Sequence, residues 1–254
     1  IMAAGAFMNF LLGFVVMVIL IAAQSEPITS RVIYAIDDGA LCGQTGLEAG
    51  DQVLAVNGRR CFVANDMLYE LMRTEDYAAR FTVLRGGEKV ELPCVRFDTW
   101  QDDSGETHMS LGFTVYGIRK TPANVVKEAW NSVLYYGRII FTSLMDLLRG
   151  RESINDLSGP VGIVTAIGQA ASYGWQDLLQ LLVLITVNLG IFNLLPFPAL
   201  DGGKVVFLLI EGVTGHAVPE KIQSGLTLAA FALLFGLMLF ATYNDILRLI
   251  TGAV

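Results

Sequence analysis

The chain has 254 residues, 54% hydrophobic and only 16% charged, against roughly 45–50% and about 25% for a soluble domain, which puts it in the membrane class. Its formal net charge of −7 excludes a nucleic-acid binder, which needs a basic face. Its three cysteines, Cys42, Cys61 and Cys94, are odd in number and form no Cys-x-x-Cys pair, which argues against a disulfide framework or a cysteine-based zinc site.

The start, Ile1-Met-Ala-Ala-Gly-Ala, has no basic residue and no small-residue cleavage site after a short apolar core, so it does not read as a signal peptide. It reads as the middle of a longer protein. Residues 6–23 are uncharged, with Asn9 the one polar residue, and are close to the ~20 residues that span a bilayer. Residues 25–119 are polar, acidic and strand-like. Residues 31–36 predict a strand, and 51–58 a strand closed by an Asn57-Gly58 turn. Residues 65–73 predict a short helix capped by Asn65. Residues 80–85 and 89–93 flank Gly86-Gly87 as a hairpin, and 110–115 are expected to close the sheet. Residues 121 to about 150 have a helical apolar period interrupted by Lys127, Arg138, Arg149 and Arg151, the pattern of an interfacial helix. A short helical piece, 161–171, follows Ser158-Gly-Pro160. Residues 178–195 and about 226–243 are two further uncharged candidate spans. Orientation is not set by charge: the last loop carries Lys204 and Lys221 beside Glu211 and Glu220, acidic residues count for little, and the large 25–119 region can translocate whatever its charge.

Two stretches carry chemistry. In Gly46-Leu-Glu-Ala-Gly50-Asp51-Gln-Val-Leu-Ala-Val-Asn57-Gly58, the glycines allow tight turns and Asp51 can tie back to the turn backbone. The stretch resembles the core of a PDZ domain, and PDZ domains bind extended peptides by adding a strand to a sheet edge. In Asn188-Leu-Gly-Ile-Phe-Asn193-Leu-Leu-Pro196-Phe-Pro198-Ala-Leu-Asp201-Gly202-Gly203, an apolar run ends on a carboxylate. Such a group at membrane depth is costly and points to function. Lys204 is its nearest basic neighbour in sequence, and a metal ion is a better partner. Pro196 and Pro198 disfavour helix, and Gly202 and Gly203 permit a sharp turn after the carboxylate. Asn188 and Asn193 bring amide donors and acceptors, for a ligand or for interhelical hydrogen bonds.

This second stretch resembles the metal-binding motif of the site-2 proteases, intramembrane zinc metalloproteases, and the order of elements is that of bacterial members with a PDZ domain. Ala4-Gly-Ala-Phe-Met-Asn9 resembles the Ala-Gly-Pro-x-x-Asn that opens the family's second spanning helix, with Ala6 in place of proline. Ser158-Gly-Pro-Val-Gly-Ile163 resembles a motif before its third. The resemblance implies Zn2+ as cofactor and Asp201 as a metal ligand, with Asn188, Asn193, Pro196 and Pro198 at the substrate. It also implies a bacterial cytoplasmic membrane location with the PDZ region extracytoplasmic, and a membrane-protein substrate with a transmembrane segment.

A catalytic zinc takes three protein ligands and one open position. In the family two ligands are the histidines of a His-Glu-x-x-His helix. The sequence has only His108 and His216, and neither has ligand spacing. The expectation is that this helix lies upstream of Ile1 and that no catalytic residue of its motif is in this chain. The expected architecture is a polytopic α-helical membrane protein with an inserted PDZ-like β-sandwich or barrel. Its segments are a spanning helix at 1–24, the PDZ-like region at 25–119, and interfacial helices at 120–174. A spanning helix ending in the metal motif occupies 175–203, and a loop with the last spanning helix 204–254. The alternatives are a non-catalytic membrane PDZ adaptor, an inactive homologue, or a transporter fragment with a broken helix.

Overall fold

The computed structural model describes residues 4–74, 76–151, 153 and 157–251. Ile1, where the reading of an interrupted start rests, lies outside them. The chain divides into two compact units, Ile21–Tyr135 on one side and Ile1–Leu20 with Tyr136–Val254 on the other. The first helix, α1 (Ala4–Ala23), is uncharged throughout.

The β unit follows. Its elements are β1 (Ile28–Ile36), α2 (Leu41–Gln44), β2 (Gln52–Val56), β3 (Arg59–Arg60), α3 (Ala64–Met72), β4 (Ala78–Arg85), β5 (Glu88–Arg96), β6 (Asp98–Gln101), β7 (Thr107–Ser110) and β8 (Phe113–Ile118). The main sheet is antiparallel in the order β5-β4-β2-β1-β8, with β3 on β2, and β6 and β7 form a separate hairpin. Alternation builds its core: Ala79, Phe81 and Val83 of β4 are buried, while Arg80 is exposed between them, as the period of two requires. Leu47, Val53, Val56, Met67, Leu71, Val95 and Phe97 complete the cluster. A fully buried side chain of this size contributes about 1.5–3 kcal/mol.

Two-residue turns fall where the sequence places them. Gly86 and Gly87 (φ 59° and 91°) join Arg85 to Glu88, and Asn57 and Gly58 (φ 50° and 77°) join Val56 to Arg59. Two successive positive φ angles match the twist of a hairpin. Asn57 Oδ1 also accepts from Arg80 N at 2.9 Å, holding the turn to β4.

Three expectations change. Among the described residues the sheet is open, not a sandwich or closed barrel, because residues 113–118 pair as β8 with β1 and leave β8 and β5 as edges. Asn65 is not a helix cap: α3 starts at Ala64, and Asp66 reaches back to accept from Val63 N at 3.0 Å and from Phe62 N. Residues 204–214 are helical, not a loop, as given below.

Asp51 is fully buried. Its Oδ2 accepts from Glu48 N at 3.0 Å, closing the Gly46–Gly50 turn. Arg85 donates to both carboxylate oxygens at 2.7 Å, to Glu48 Oε1 at 2.6 Å and to the Gly46 carbonyl at 2.7 Å. The turn is therefore locked to the end of β4 by a bidentate pair.

The remaining helices are α4 (Pro122–Leu148), α5 (Pro160–Tyr173), α6 (Trp175–Leu194), α7 (Asp201–Thr214) and α8 (Glu220–Thr251). Thr121 caps α4 through Asn124 N at 3.2 Å, with Pro122 at the first helical position, where a missing N–H costs nothing. Val125, Ala129, Val133, Tyr136 and Ile140 form its buried stripe, at helical spacing. Helices α1, α6 and α8 are long and apolar enough to cross a membrane, and α5 packs on both α6 and α8.

Removing Arg85 strands a buried charge, so Arg85→Ala should destabilise the β unit by about 3–5 kcal/mol. Denaturant unfolding of the purified protein in detergent checks this. Replacing Asp51 and Arg85 together by apolar residues should cost much less than Arg85→Ala alone.

Candidate metal and substrate site

Helix α6 ends because Pro196 and Pro198 follow it: Leu195 leaves the helical region (φ −61°, ψ 143°), as a residue before proline does. The backbone then curls back through short turns, Phe197 N to Leu195 O at 2.7 Å and Leu200 N to Phe197 O at 2.9 Å. It re-enters a helix at Asp201, the first residue of α7.

Gly202 and Gly203 are buried. A Cβ on Gly202 would lie 2.2 Å from the Leu195 carbonyl oxygen and 2.5 Å from that of Leu194. One on Gly203 would lie 2.2 Å from the Phe197 oxygen. No side chain fits between these backbones, so the two glycines let the start of α7 press against the loop. Gly215 (φ 70°) ends α7 in the left-handed conformation that favours glycine.

Two other elements meet this loop. The first turn of α1 reaches it: a Cβ on Gly5 would stand 3.5 Å from Asp201 Oδ2. Further along, Phe10 lies against Gly190 and Gly13 against Val187, within about 3 Å of where a Cβ would sit. Helices α1 and α6 therefore run antiparallel and close-packed through small residues. From α8, Thr227 Oγ1 donates to the Pro198 carbonyl at 3.2 Å. Asp201 thus lies beyond the C-terminal end of α6 and level with the N-terminal turn of α1, at the ends of two apolar helices. The sequence motif at residues 4–9 and the one at 188–203 are brought together. Gly5 and Thr227 were not singled out from the sequence; Gly5 sits inside a quoted motif, while Thr227 carries no local signal.

The Asp201 side chain is about one-third exposed (34%), with Lys204 Nζ 3.4 Å from Oδ1. An exposed pair of this length contributes little. Asp201 stands at the N-terminus of α7, with its side chain partly open to solvent. Asn188 is exposed and Asn193 half-buried, and among the described residues neither amide has a hydrogen-bond partner. Pro196 is exposed and Pro198 half-buried, both in the unwound segment.

Asp201 suits a metal as one carboxylate ligand, but the residues of this chain do not complete a site. Among the described residues a single group of three ligand-type side chains lies within mutual reach, Asp102, Glu106 and His108, and it is in the β unit. Its carboxylate is already occupied. Asp102 Oδ1 accepts from Ser104 N, Ser104 Oγ and Glu106 N, and Oδ2 faces His108 Nε2 at 3.0 Å. These contacts fold the β6–β7 turn. His216 is exposed after α7 and bonds within its own loop, Nδ1 lying 2.9 Å from the Thr214 carbonyl.

The model of peptidase family M50 matches residues 1–237. Zinc metalloprotease RasP of Geobacillus kaustophilus is 34% identical over 244 residues, 96% of this chain and 57% of that protein. Regulator of sigma-W protease RasP of Bacillus subtilis is 31% identical over 247 residues, 97% of this chain and 58% of that protein. Zinc metalloprotease RasP of Bacillus licheniformis is 31% identical over 248 residues, with the same coverage. The chain spans under three-fifths of the length of these relatives.

Two outcomes are expected. Gly202→Ala and Gly203→Ala should each lower thermal stability in detergent by about 1–3 kcal/mol or more. Gly212→Ala, on the same helix with open space around it, should be neutral or stabilising by up to about 1 kcal/mol. The Ser104 hydroxyl, then His108, then Glu106 N hold the Asp102 carboxyl well below the ordinary carboxylate range. A depressed pKa in the folded state stabilises above the unfolded value, so this support is complete above about pH 4 and lost as pH falls below it. Hydrogen exchange of residues 98–110 should rise on acidification there, and Asp102→Asn should remove that pH dependence.

Proposed function

The chain belongs to peptidase family M50, and from that membership we propose that it is part of an intramembrane zinc endopeptidase of the site-2 type, with Asp201 a ligand of the metal. The observation that carries this reading is the convergence on the Pro196–Asp201 loop of the first turn of α1, which reaches Asp201, of Gly202 and Gly203 at the start of α7, and of Thr227 of α8, which donates to the Pro198 carbonyl. Zinc, when bound, lowers the pKa of a water to near ~7 and polarises the scissile carbonyl. The other ligands and the general base belong to a His-Glu-x-x-His helix elsewhere in the protein.

Within this chain, Asp201 fixes the metal's position relative to the loop. Asn188 and Asn193 offer amides without a hydrogen-bond partner among the described residues, and the loop offers non-helical backbone. Together these suit a substrate held extended, with its peptide groups satisfied by the enzyme. Non-helical backbone in a membrane protein is tolerated where it is buried or lines a wet cavity, which agrees with a water-using site.

The substrate is the transmembrane segment of another membrane protein. The name of the Bacillus subtilis relative, regulator of sigma-W protease, favours anti-sigma factors, with remnant signal peptides as a further class. The protein is multi-pass in a bacterial cytoplasmic membrane, with residues 25–119 a PDZ-like domain outside. Its open β8 edge suits strand addition by an extended peptide; the same domain can instead exclude bulky, uncleaved ectodomains. A non-catalytic adaptor is the competing reading, because the described residues supply only one ligand, and a full-length sequence without His-Glu-x-x-His would establish it.

In the full-length protein, Asp201→Asn should abolish zinc retention and cleavage while membrane insertion continues. Cleavage at the wild-type rate by this variant would remove the metal assignment. Asn193→Ala should slow cleavage with zinc still bound, as read by metal analysis beside a substrate-processing assay.

A further inference from the structure

Asp245 is a carboxylate far along the third apolar helix, only 4% exposed, and no step above uses it. It lies at the start of α5. The N-cap of that helix is Gly159, which has no side chain to accept from the first N–H groups. No side chain could be there: a Cβ would lie 2.8 Å from the backbone of Ala241 and Thr242 in α8. Pro160, next, has no N–H to satisfy. At the third helical position Gly162 N donates to Asp245 Oδ2 at 2.7 Å. That is the hydrogen bond a Ser, Asp or Asn at the N-cap ordinarily accepts. Gly162 also leaves room for the carboxylate, since a Cβ there would lie 2.9 Å from Asp245 Oδ1 and push it away. Both glycines of Ser158-Gly-Pro-Val-Gly are thus emptied to admit one carboxylate and the helix that carries it. A cavity of about 210 Å³ lies beside it, lined by Ser158, Thr165, Gln169 and Arg248 and by apolar Val161 and Leu249.

We propose that Asp245 caps α5 from α8, in place of a local N-cap, and is a positioning residue for the site at Asp201. The cap ties α5 to α8, and α5 packs on α6, the helix that carries Asn188 and Asn193 and leads into the loop. Helix α8 is fastened twice, to the Pro198 carbonyl through Thr227 and to Gly162 through Asp245, about 27 Å apart along its axis at 1.5 Å per residue. It works as a strut that sets the height of α5 and α6 against the loop. The charge adds to the hydrogen bond, because an anion is favoured at a helix N-terminus. The capping role stands on geometry alone; the effect on cleavage rests on the protease reading above.

The test is hydrogen–deuterium exchange of the full-length protein in detergent, beside zinc content and substrate cleavage. In Asp245→Ala, exchange in the first turn of α5 should rise about 2- to 30-fold, the cost of a lost cap. In Asp245→Asn, which keeps an acceptor but loses the charge, it should rise about 2- to 5-fold. Cleavage should fall in the same order, Ala below Asn below wild type, with zinc content unchanged. Unchanged exchange at α5 in Asp245→Ala would falsify the cap. If that variant unfolds globally, Asp245→Asn decides: faster exchange confined to α5 supports the cap, and wild-type exchange overturns it. Faster exchange with wild-type cleavage overturns the positioning role. A wild-type protein that retains no zinc and cleaves nothing overturns the protease reading instead, and the exchange data still decide the cap.

Discussion

The candidate site depends on a contact between backbones. Carbonyls of Leu194, Leu195 and Phe197 occupy the space that side chains on residues 202 and 203 would need. Only with glycine at both positions can the chain leave α6, double back through two prolines and begin α7 with Asp201 at its first position. The carboxylate is therefore aimed by a steric constraint and not by a hydrogen-bond network of its own. Its neighbour Lys204 is too exposed to hold it firmly. That combination, a rigidly based carboxylate with open oxygens, is what a metal ligand needs.

The helices around it rest on the same kind of contact. Gly13 and Gly190 let α1 and α6 approach closely, and Gly159 lets α5 meet the backbone of α8. In lipid, apolar side chains gain little by leaving their surroundings, so association depends on close packing and on a few polar ties. Thr227 to Pro198 and Asp245 to Gly162 are two such ties, both made by α8. The β unit is held differently, by a buried apolar cluster and by the Asp51–Arg85 pair that locks the Gly46–Gly50 turn.

The M50 match over residues 1–237 and the relatives at 31–34% identity give the family by a route independent of this geometry. The motif at 188–203 was legible because its prolines, glycines and aspartate have strong local meanings. Arg85 was not, because nothing near it in sequence marks a basic residue at the end of a strand as the partner of an aspartate 34 positions earlier. Nor was the helix at 201–214. The glycines after the aspartate read as a sharp turn leading into a loop, and their helical state becomes plain only once the segment they pack against is seen.

Taken alone, the amino-acid order determined three apolar helices, a turn-rich polar insertion between the first two, and a carboxylate flanked by helix breakers. These follow from side-chain hydrophobicity, periodicity and the fixed dihedral preferences of proline and glycine, all properties of neighbouring residues. Tertiary structure decided which distant segments share a site: Gly5 beside Asp201, Thr227 on the Pro198 carbonyl, Asp245 at the start of α5, and β8 at the sheet edge. Those juxtapositions depend on how whole helices and strands pack, and a packing geometry has no local signature in the residues that make it.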